Sequence, residues 1–201
     1  MTQSKTIGIT GGVGAGKSTV LDYISSRYKV RIIGADDVGR ELMEPGRAVY
    51  NALKAYYGEK ILLDDGRIDR PALAAIGLRD EESQAVLNGI EHPLIREEII
   101  RRIRSAEESV VFLEAALLSE GNLTEICDEV WVVTADENTR IERLMRDRGY
   151  TEETCRMIIS RQLSEEDFCA LADVLIRNDR KLSSVYRQIA KEMKRIGAEK
   201  L

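Results

Sequence analysis

Cysteine is scarce in this chain, and long hydrophobic runs are absent from it. The 201 residues contain three cysteines, Cys127, Cys155 and Cys169. An odd number without metal-like spacing argues against a disulfide framework or a zinc site and favours reduced thiols. No run approaches the ~18 apolar residues of a membrane span, and the first ten residues lack the apolar core of a signal peptide. We therefore expect a cytoplasmic protein with no membrane partner.

Positive charge is also in deficit. The sequence has 30 lysines and arginines against 35 acidic residues, which gives a formal net charge of −5. A surface that coats nucleic acid needs the opposite balance, so we expect no nucleic-acid partner. An acidic protein that binds small anions must instead gather its positive charge locally. The length predicts one domain over residues 1–201, and composition leaves a monomer and a small homo-oligomer both open.

Short apolar runs alternate with longer amphipathic stretches. The runs are rich in isoleucine and valine, as is typical of strands buried on both faces. They lie at Thr6–Thr10, Arg31–Ala35, Val110–Glu114, Val130–Thr134 and Val174–Arg177. The last helical pattern repeats apolar residues at spacings of three and four, namely Leu182, Val185, Ile189, Met193 and Ile196. Strands that alternate with helices predict an α/β fold around a parallel sheet.

Two insertions lengthen the connections between strands. Residues 38–104 are mostly helical, with a turn at Asp64–Arg67. We expect a helix to begin at His92–Pro93, because proline is tolerated at the first helical position. Residues 138–171 are rich in arginine. Insertions of this kind commonly cover a ligand crevice, so we interpret the first as a substrate-binding insertion and the second as a lid.

The most specific pattern is GITGGVGAGKSTV at Gly8–Val20. Gly11, Gly16, Lys17 and Ser18 meet the phosphate-loop pattern G-x-x-x-x-G-K-[ST] between a predicted strand and a predicted helix. Glycines let backbone N–H groups converge on a phosphate, and the helix adds its positive end. The lysine can reach phosphate oxygens, and the serine hydroxyl can bind Mg²⁺. The nucleotide-binding residues predicted from the loop are Gly12, Val13, Gly14, Ala15, Gly16, Lys17, Ser18 and Thr19.

A phosphate loop alone leaves a GTPase, an ATPase motor and a small-molecule kinase open. The N-K-x-D stretch that reads guanine does not occur in the sequence, and a motor usually has a longer chain. A kinase needs a base beside its acceptor and a cap that excludes water, and the two insertions meet that need. We therefore predict a P-loop kinase fold with five parallel strands in the order 2-3-1-4-5, flanked by helices.

Asp36 is the candidate general base. It follows the second strand, in IIGADDVGR, and would lie beside the phosphate loop. A carboxylate there can take the proton of an attacking hydroxyl. Arg40 is four residues further on and would share its helix face. The residues alone permit Asp36 equally well to cap the following helix.

Together these segments resemble the dephospho-coenzyme A kinase family over nearly the whole chain. The shared motifs beyond the loop are GAD and GR at residues 34–40, DGRIDRPAL at Asp65–Leu73, IEHPLI at Ile90–Ile95, EAALLSE at Glu114–Glu120, RIERLMRDRGYTEE at Arg140–Glu153, RQ at Arg161–Gln162 and ADVLIRN at Ala172–Asn178. The resemblance implies ATP-dependent phosphorylation of the ribose 3′-hydroxyl of dephospho-coenzyme A, the last step of coenzyme A synthesis. The alternatives are a nucleoside or nucleotide kinase and a regulatory module that binds nucleotide without turnover.

The resemblance also implies roles on the acceptor side. Asp36 matches the general base, and Arg40 matches an arginine that contacts the substrate or the γ-phosphate. Arg70 would meet a substrate phosphate, although its motif could serve only to let Asp69 cap a helix. His92, the one histidine, would bind substrate or else simply begin a helix.

On the nucleotide side, the resemblance places Asn178 near adenine, with an ordinary turn asparagine as the alternative. ATP and Mg²⁺ are the expected cofactors, with Ser18 and Glu114 as metal ligands. Lys17 and Arg143 complete the catalytic set. The lid arginines are Arg140, Arg143, Arg146 and Arg148, of which we expect one or two to reach the phosphates.

The chain departs from the family pattern at four positions. Gly34 stands where the family usually has a first aspartate, and Glu114 and Ala116 replace an aspartate and a proline. Asp147 stands where a lid arginine is usual. The longer side chain of Glu114 can still hold Mg²⁺ through water.

Overall fold

A five-stranded parallel sheet forms the centre of the molecule. The computed structural model describes residues 4–179 and 181–201. The strands are β1 Lys5–Thr10, β2 Arg31–Gly34, β3 Val110–Glu114, β4 Glu129–Thr134 and β5 Val174–Arg177. Their spatial order is β2-β3-β1-β4-β5, and every neighbouring pair is parallel. The predicted fold class and strand order are confirmed.

Nine α-helices occur within the described ranges. They are α1 Lys17–Ser25, α2 Ala35–Leu42, α3 Ala48–Tyr57, α4 Arg70–Gly77, α5 Glu81–Arg104, α6 Glu137–Arg148, α7 Glu152–Ser160, α8 Glu165–Ala170 and α9 Leu182–Arg195. Short 3₁₀ segments lie at Gly58–Ile61 and Glu120–Ile126. None of these helices is both long enough and apolar enough to cross a membrane.

Both faces of the sheet are covered, as the continuous hydrophobicity of the strands predicts. Val111 and Leu113 point into one apolar cluster, which includes residues of α2, α3 and α5. Phe112, between them, points into a second cluster with residues of α1 and α9. This alternation is the two-residue period of a strand. The edge-to-face contact of Phe112 with Trp131, 5.3 Å between ring centres, lies in the second cluster.

Two local predictions are wrong. Ala35 belongs to α2 rather than to β2, because Gly34 ends the strand and takes the extended conformation of a helix N-cap. No helix begins at His92–Pro93, since α5 starts at Glu81, where Asp80 accepts a 2.7 Å hydrogen bond from the N–H of Ser83.

The last predicted helix is confirmed as α9. Val185, Ile189 and Met193 of α9 are fully buried, as its periodicity predicts, but Leu182 is 50% exposed. The first turn of α9 extends beyond the core, so the apolar stripe covers one turn fewer than expected.

The carboxyl ends of the five strands meet at one edge, because the strands are parallel. β1 leads there into the glycine loop, β2 into α2, and β3 ends at Glu114. The first predicted insertion contains most of α2 and all of α3–α5, and the second contains most of α6 and all of α7 and α8. Each insertion therefore begins at this edge of the sheet.

Candidate active site

The glycine loop joins β1 to α1. Gly11, Gly14 and Gly16 have φ values of 148°, 76° and 90°, a region that residues with a side chain rarely adopt. Gly16 is the N-cap of α1, which begins at Lys17 as predicted. The loop lines a cavity of about 780 Å³, together with Lys17 and Glu114, and we call it the nucleotide cavity. The loop thus has the backbone and the open space that a triphosphate requires.

Two glycines are also required by the packing behind the loop. A Cβ atom on Gly16 would collide with the amide nitrogen of Asn178, and one on Gly12 would collide with the guanidinium of Arg140. The expected reason for these glycines was the close approach of a phosphate. The structure adds a second reason, because the side chains of Asn178 and Arg140 occupy the space that a Cβ atom would need.

Arg140 holds the loop from α6. It is buried, its Nε donates to the carbonyl of Val13 at 2.8 Å, and its Nη2 donates to Oε1 of Gln162 at 3.0 Å. The same Gln162 oxygen accepts from the N–H of Val13 at 2.9 Å. Both backbone groups of Val13 are therefore bonded to side chains of the second insertion. Gln162 appeared in the sequence only as part of a shared motif, and no local pattern shows its contact with a residue 149 positions away.

Arg143 binds the next part of the loop. Its Nη1 donates to the carbonyls of Gly14 and Ala15, both at 3.2 Å, and its Nη2 donates to the carbonyl of Asn178 at 2.6 Å. The amide of Asn178 is buried and donates to the carbonyl of Ala15 at 2.8 Å. Arg143 and Asn178 thus each donate to loop carbonyls, while Oδ1 of Asn178 is buried with no partner among the described residues. Both residues also line the nucleotide cavity.

The last turn of α6 carries two exposed arginines, Arg146 and Arg148, that line the nucleotide cavity. Arg146 and Asp147 pair with each other, 2.7 Å apart. Arg148 lines the nucleotide cavity, and its charge lowers the pKa of Lys17 as a minor contribution. Within the residues described, its guanidinium has no hydrogen bond or ion pair. Arg148 is therefore available to an anionic ligand.

Charged groups of both signs surround the cavity floor. The Nζ of Lys17 donates to the carbonyl of Gly11 at 2.8 Å. Burial lowers the pKa of Lys17, and the negative charges of Glu114 and Asp36 oppose this effect. Burial raises the pKa of Glu114, which Lys17 lowers and Asp36 raises. The charge of Asp36 thus acts on both Lys17 and Glu114, and these two residues act on each other.

Hard oxygen ligands for Mg²⁺ are present beside the loop. The hydroxyl of Ser18 and the carboxylate of Glu114 line the same cavity, and no side chain in the described part of the chain hydrogen-bonds or ion-pairs with Glu114. No group of three or more histidine, cysteine, aspartate or glutamate residues among the described positions forms a metal cage. This donor set fits Mg²⁺, which typically takes one or two protein ligands and completes its shell with phosphate and water.

Asp36 lies on the wall of two cavities. The second cavity, of about 550 Å³, lies between α2, α4 and α5, and Asp36 and Ala116 line both. The N-cap of α2 is Gly34, and no side chain caps that end. The interpretation of Asp36 as a helix cap is therefore wrong, and its exposed carboxylate is directed at the cavities.

The other predicted acceptor residues line the second cavity, which we call the acceptor cavity. Arg40 and Arg70 are there, and Arg40 also pairs with Asp37. Asp69 caps α4 by accepting from the N–H of Ala72 at 3.0 Å, so the capping interpretation of Asp69 is confirmed and leaves Arg70 in the cavity.

His92 lies in the middle of α5 rather than at a helix start. It lines the acceptor cavity and also a larger groove on the outer side of α5. Its neighbour Glu91, which the sequence did not single out, lines the acceptor cavity as well.

Fold and site together define a P-loop kinase. Solved structures share the fold. The protein TT1252 from Thermus thermophilus superposes with a TM-score of 0.82 at 26% identity, covering 96% of this chain and 98% of that one. Shikimate kinase from Acinetobacter baumannii has a TM-score of 0.51 at 14% identity, covering 96% and 93%, which shows the fold alone.

The family model described as dephospho-CoA kinase matches residues 5–184. A dephospho-CoA kinase of Corynebacterium glutamicum is 39% identical over 188 residues, covering 92% of this chain and 94% of the relative. One of Trichormus variabilis is 33% identical over 189 residues, covering 94% and 96%. The chain belongs to the dephospho-CoA kinase family. It is a transferase of coenzyme A biosynthesis that phosphorylates dephospho-coenzyme A with ATP.

Proposed function

We propose that the chain transfers the γ-phosphoryl group of ATP to the ribose 3′-hydroxyl of dephospho-coenzyme A, with Asp36 as the general base. The observation that carries this proposal is the position of Asp36 on the shared wall of the nucleotide and acceptor cavities. A base must touch the acceptor hydroxyl while that hydroxyl faces the γ-phosphorus. A side chain at the junction meets both conditions.

The chemical step is an in-line displacement. The acceptor oxygen forms a bond to the γ-phosphorus as the bond to the bridging oxygen of ADP breaks. The proton of the hydroxyl passes to the carboxylate of Asp36, and ADP leaves with the bridging electron pair. Closure of residues 138–171 would exclude water, which could otherwise replace the acceptor.

Charge on the transferring group is met by the loop N–H groups, by Lys17 and by the lid. Arg148 is the lid residue that we assign to this role, because it faces the nucleotide cavity without a protein partner. Arg140 and Arg143 position the loop through its carbonyls. This assignment moves the catalytic lid role from Arg143, the sequence-based choice, to Arg148.

Ser18 and Glu114 would hold Mg²⁺. Bound there, the ion would neutralise charge on the phosphate oxygens. On the acceptor side, Arg40 and Arg70 would bind the phosphates of dephospho-coenzyme A, and His92 would contact the same ligand. Residues 38–104 would form the acceptor-binding insertion. A cytoplasmic location, and a monomeric or small homo-oligomeric state, stay predictions.

The test compares two adjacent carboxylates. ADP release is followed with dephospho-coenzyme A and without acceptor, and phosphorus NMR identifies the phosphorylated position of the product. Asp36→Asn should lower kcat by ~10²–10⁴ and leave ATP binding almost unchanged. Asp37→Asn, the control, should keep activity within about tenfold because Asp37 lines neither cavity.

Near-normal turnover by Asp36→Asn would remove the base from the mechanism. A wild-type product phosphorylated elsewhere than at the 3′-position would overturn the proposed acceptor atom.

A further inference from the structure

Glu91 is a partly buried carboxylate in the acceptor cavity, and one of its oxygens has no partner. It lies on α5 at a spacing of four from both Leu87 and Ile95, so the three side chains share the helix face that lines the cavity. Its Oε1 is shielded from solvent and has no hydrogen bond within the described part of the chain. Burial raises the pKa of Glu91 to about 7. Burying an unpaired carboxyl group opposes folding, so the fold itself gives no reason for a glutamate here.

No cation of the described residues forms an ion pair with Glu91. Leu73, Leu87 and Leu123 line the same cavity. Tyr57 of α3 is near enough for the charge of Glu91 to raise its pKa, after the larger effect of burial, yet its hydroxyl is also buried and has no hydrogen bond among the described residues. Two unpaired polar atoms thus lie in one neighbourhood, beside a wall of leucine side chains.

Charges of both signs line the acceptor cavity. Arg40 and Arg70 provide positive charge that suits the phosphates of an acceptor. A carboxylate would repel those phosphates, but it accepts hydrogen bonds well from uncharged N–H groups. Dephospho-coenzyme A carries such groups in two places, at the exocyclic amine of adenine and at the amides of its pantetheine arm.

We propose that Glu91 is a specificity-determining residue for the acceptor, and that its buried Oε1 accepts a hydrogen bond from an uncharged N–H group of dephospho-coenzyme A. The inference rests on the proposed function, because it takes this cavity as the acceptor site. The reacting hydroxyl belongs at Asp36, which also lines the nucleotide cavity, whereas Glu91 lines only the acceptor cavity. Glu91 therefore acts on acceptor binding rather than on the chemical step.

The test replaces Glu91 with an apolar side chain of similar volume. Glu91→Leu should raise KM for dephospho-coenzyme A by about tenfold to a hundredfold, the range for loss of a charge-assisted hydrogen bond. It should leave kcat within about threefold and KM for ATP unchanged, and Tm should not fall, because an unpaired buried carboxyl group is removed. Glu91→Gln keeps an accepting oxygen but loses the negative charge, so it should raise KM by about fivefold to tenfold, less than Glu91→Leu does.

Glu97→Leu is the matched control. Glu97 is exposed on the same helix and does not line the acceptor cavity, so its replacement should leave every KM unchanged. A wild-type protein without activity on dephospho-coenzyme A would instead refute the proposed function, and this outcome is distinct from a Glu91→Leu enzyme that works normally.

A second acceptor identifies the donor. An analogue with unsubstituted purine in place of adenine lacks the exocyclic amine and gains no other N–H donor. If the amine is the donor, Glu91→Leu should have no effect on KM for the analogue. If an amide is the donor, the full effect should persist. An unchanged KM for dephospho-coenzyme A in Glu91→Leu, or a rise in KM equal to that in Glu97→Leu, would overturn the proposal.

Discussion

Replacing Arg143 with methionine separates an arginine that supports the loop from one that contacts phosphate. The substitution keeps an unbranched apolar side chain and removes the guanidinium. Three hydrogen bonds disappear, to the carbonyls of Gly14, Ala15 and Asn178. All three acceptors belong to the protein. The loss should therefore appear in the protein without nucleotide, before any ligand is added.

The size of the effect follows from the geometry. The Nη1 atom is shared between two carbonyls at 3.2 Å, and the Nη2 bond is short, at 2.6 Å. We therefore count two effective bonds, each worth ~1.5–3 kcal/mol because the donor is charged. Taking the lower value for each, the free energy of unfolding should fall by roughly 3 kcal/mol. For a chain of this length that corresponds to a fall in Tm of roughly 6–12 °C.

The assay pairs thermal unfolding with steady-state kinetics. Arg148→Met is the control, because it makes the same substitution at the end of the same helix, where the guanidinium is exposed and has no partner in the described residues. Arg148→Met should change Tm by less than about 2 °C and lower kcat by at least ~10² if Arg148 meets the transferring phosphoryl group. Arg143→Met should lower Tm and raise KM for ATP.

An Arg143→Met protein with wild-type Tm would show that these hydrogen bonds do not support the loop. A fully active Arg148→Met enzyme would remove Arg148 from the mechanism. The reverse pattern, with a stable but inactive Arg143 variant, would restore the sequence-based choice of Arg143 as the catalytic lid residue.

Two further predictions concern the loop and the stability of the sheet. Gly16→Ala should abolish ATP binding and lower Tm. Gly46 has a similar φ but open space at its Cβ position, so Gly46→Ala should lower Tm only through backbone strain. Thermal unfolding with and without ATP measures both effects. Bonds to Arg195 and Lys5 lower the pKa of Glu129 to about 2. Its contribution to stability is therefore complete above its unfolded value of about 4.5 and is lost as pH falls towards 2. Glu129→Gln should lower the free energy of unfolding by up to about 3 kcal/mol at pH 7, with a deficit in urea titrations that shrinks through this pH window. A deficit that stays constant with pH would exclude the ionic origin.

Local patterns predicted the sheet well because its strands are short, apolar and bounded by polar residues. β3 and β5 begin and end where the sequence placed them, and β1 and β4 begin one residue earlier. The glycine loop was predictable for a similar reason, since its backbone conformation needs glycine at fixed spacing. These features depend on residues that are neighbours in the sequence.

The start of α5 was missed because two start signals compete within twelve residues. Pro93 suits a first helical turn, but Asp80 caps an earlier one, and the 24-residue helix continues past the proline. Proline lacks an N–H, so the carbonyl of Gly89 has no helical partner in α5. The helix is retained despite this missing hydrogen bond, and α5 packs against α2, α3 and α4. A sequence pattern contains no measure of such packing.

The roles of the lid arginines were beyond prediction for a different reason. Arg140 and Arg143 bind carbonyls that lie 127–129 positions earlier in the chain. A backbone carbonyl is present at every residue, so no residue type marks the acceptor of these bonds. Glu91 was not predicted either, because its interest lies in a buried oxygen without a hydrogen-bond partner, and only a structure shows this.

The anchoring of α6 limits how the lid can close. Arg140 and Arg143 tie the first two turns of α6 to the loop. Ile141 and Leu144, on the same turns, pack with Cys155 of α7 and contact Val13 of the loop. A closing motion of the whole helix would break these bonds and open an apolar cluster. We therefore expect α6 to keep its first two turns on the loop, and closure to come from its last turn, where Arg148 is free to move onto the nucleotide.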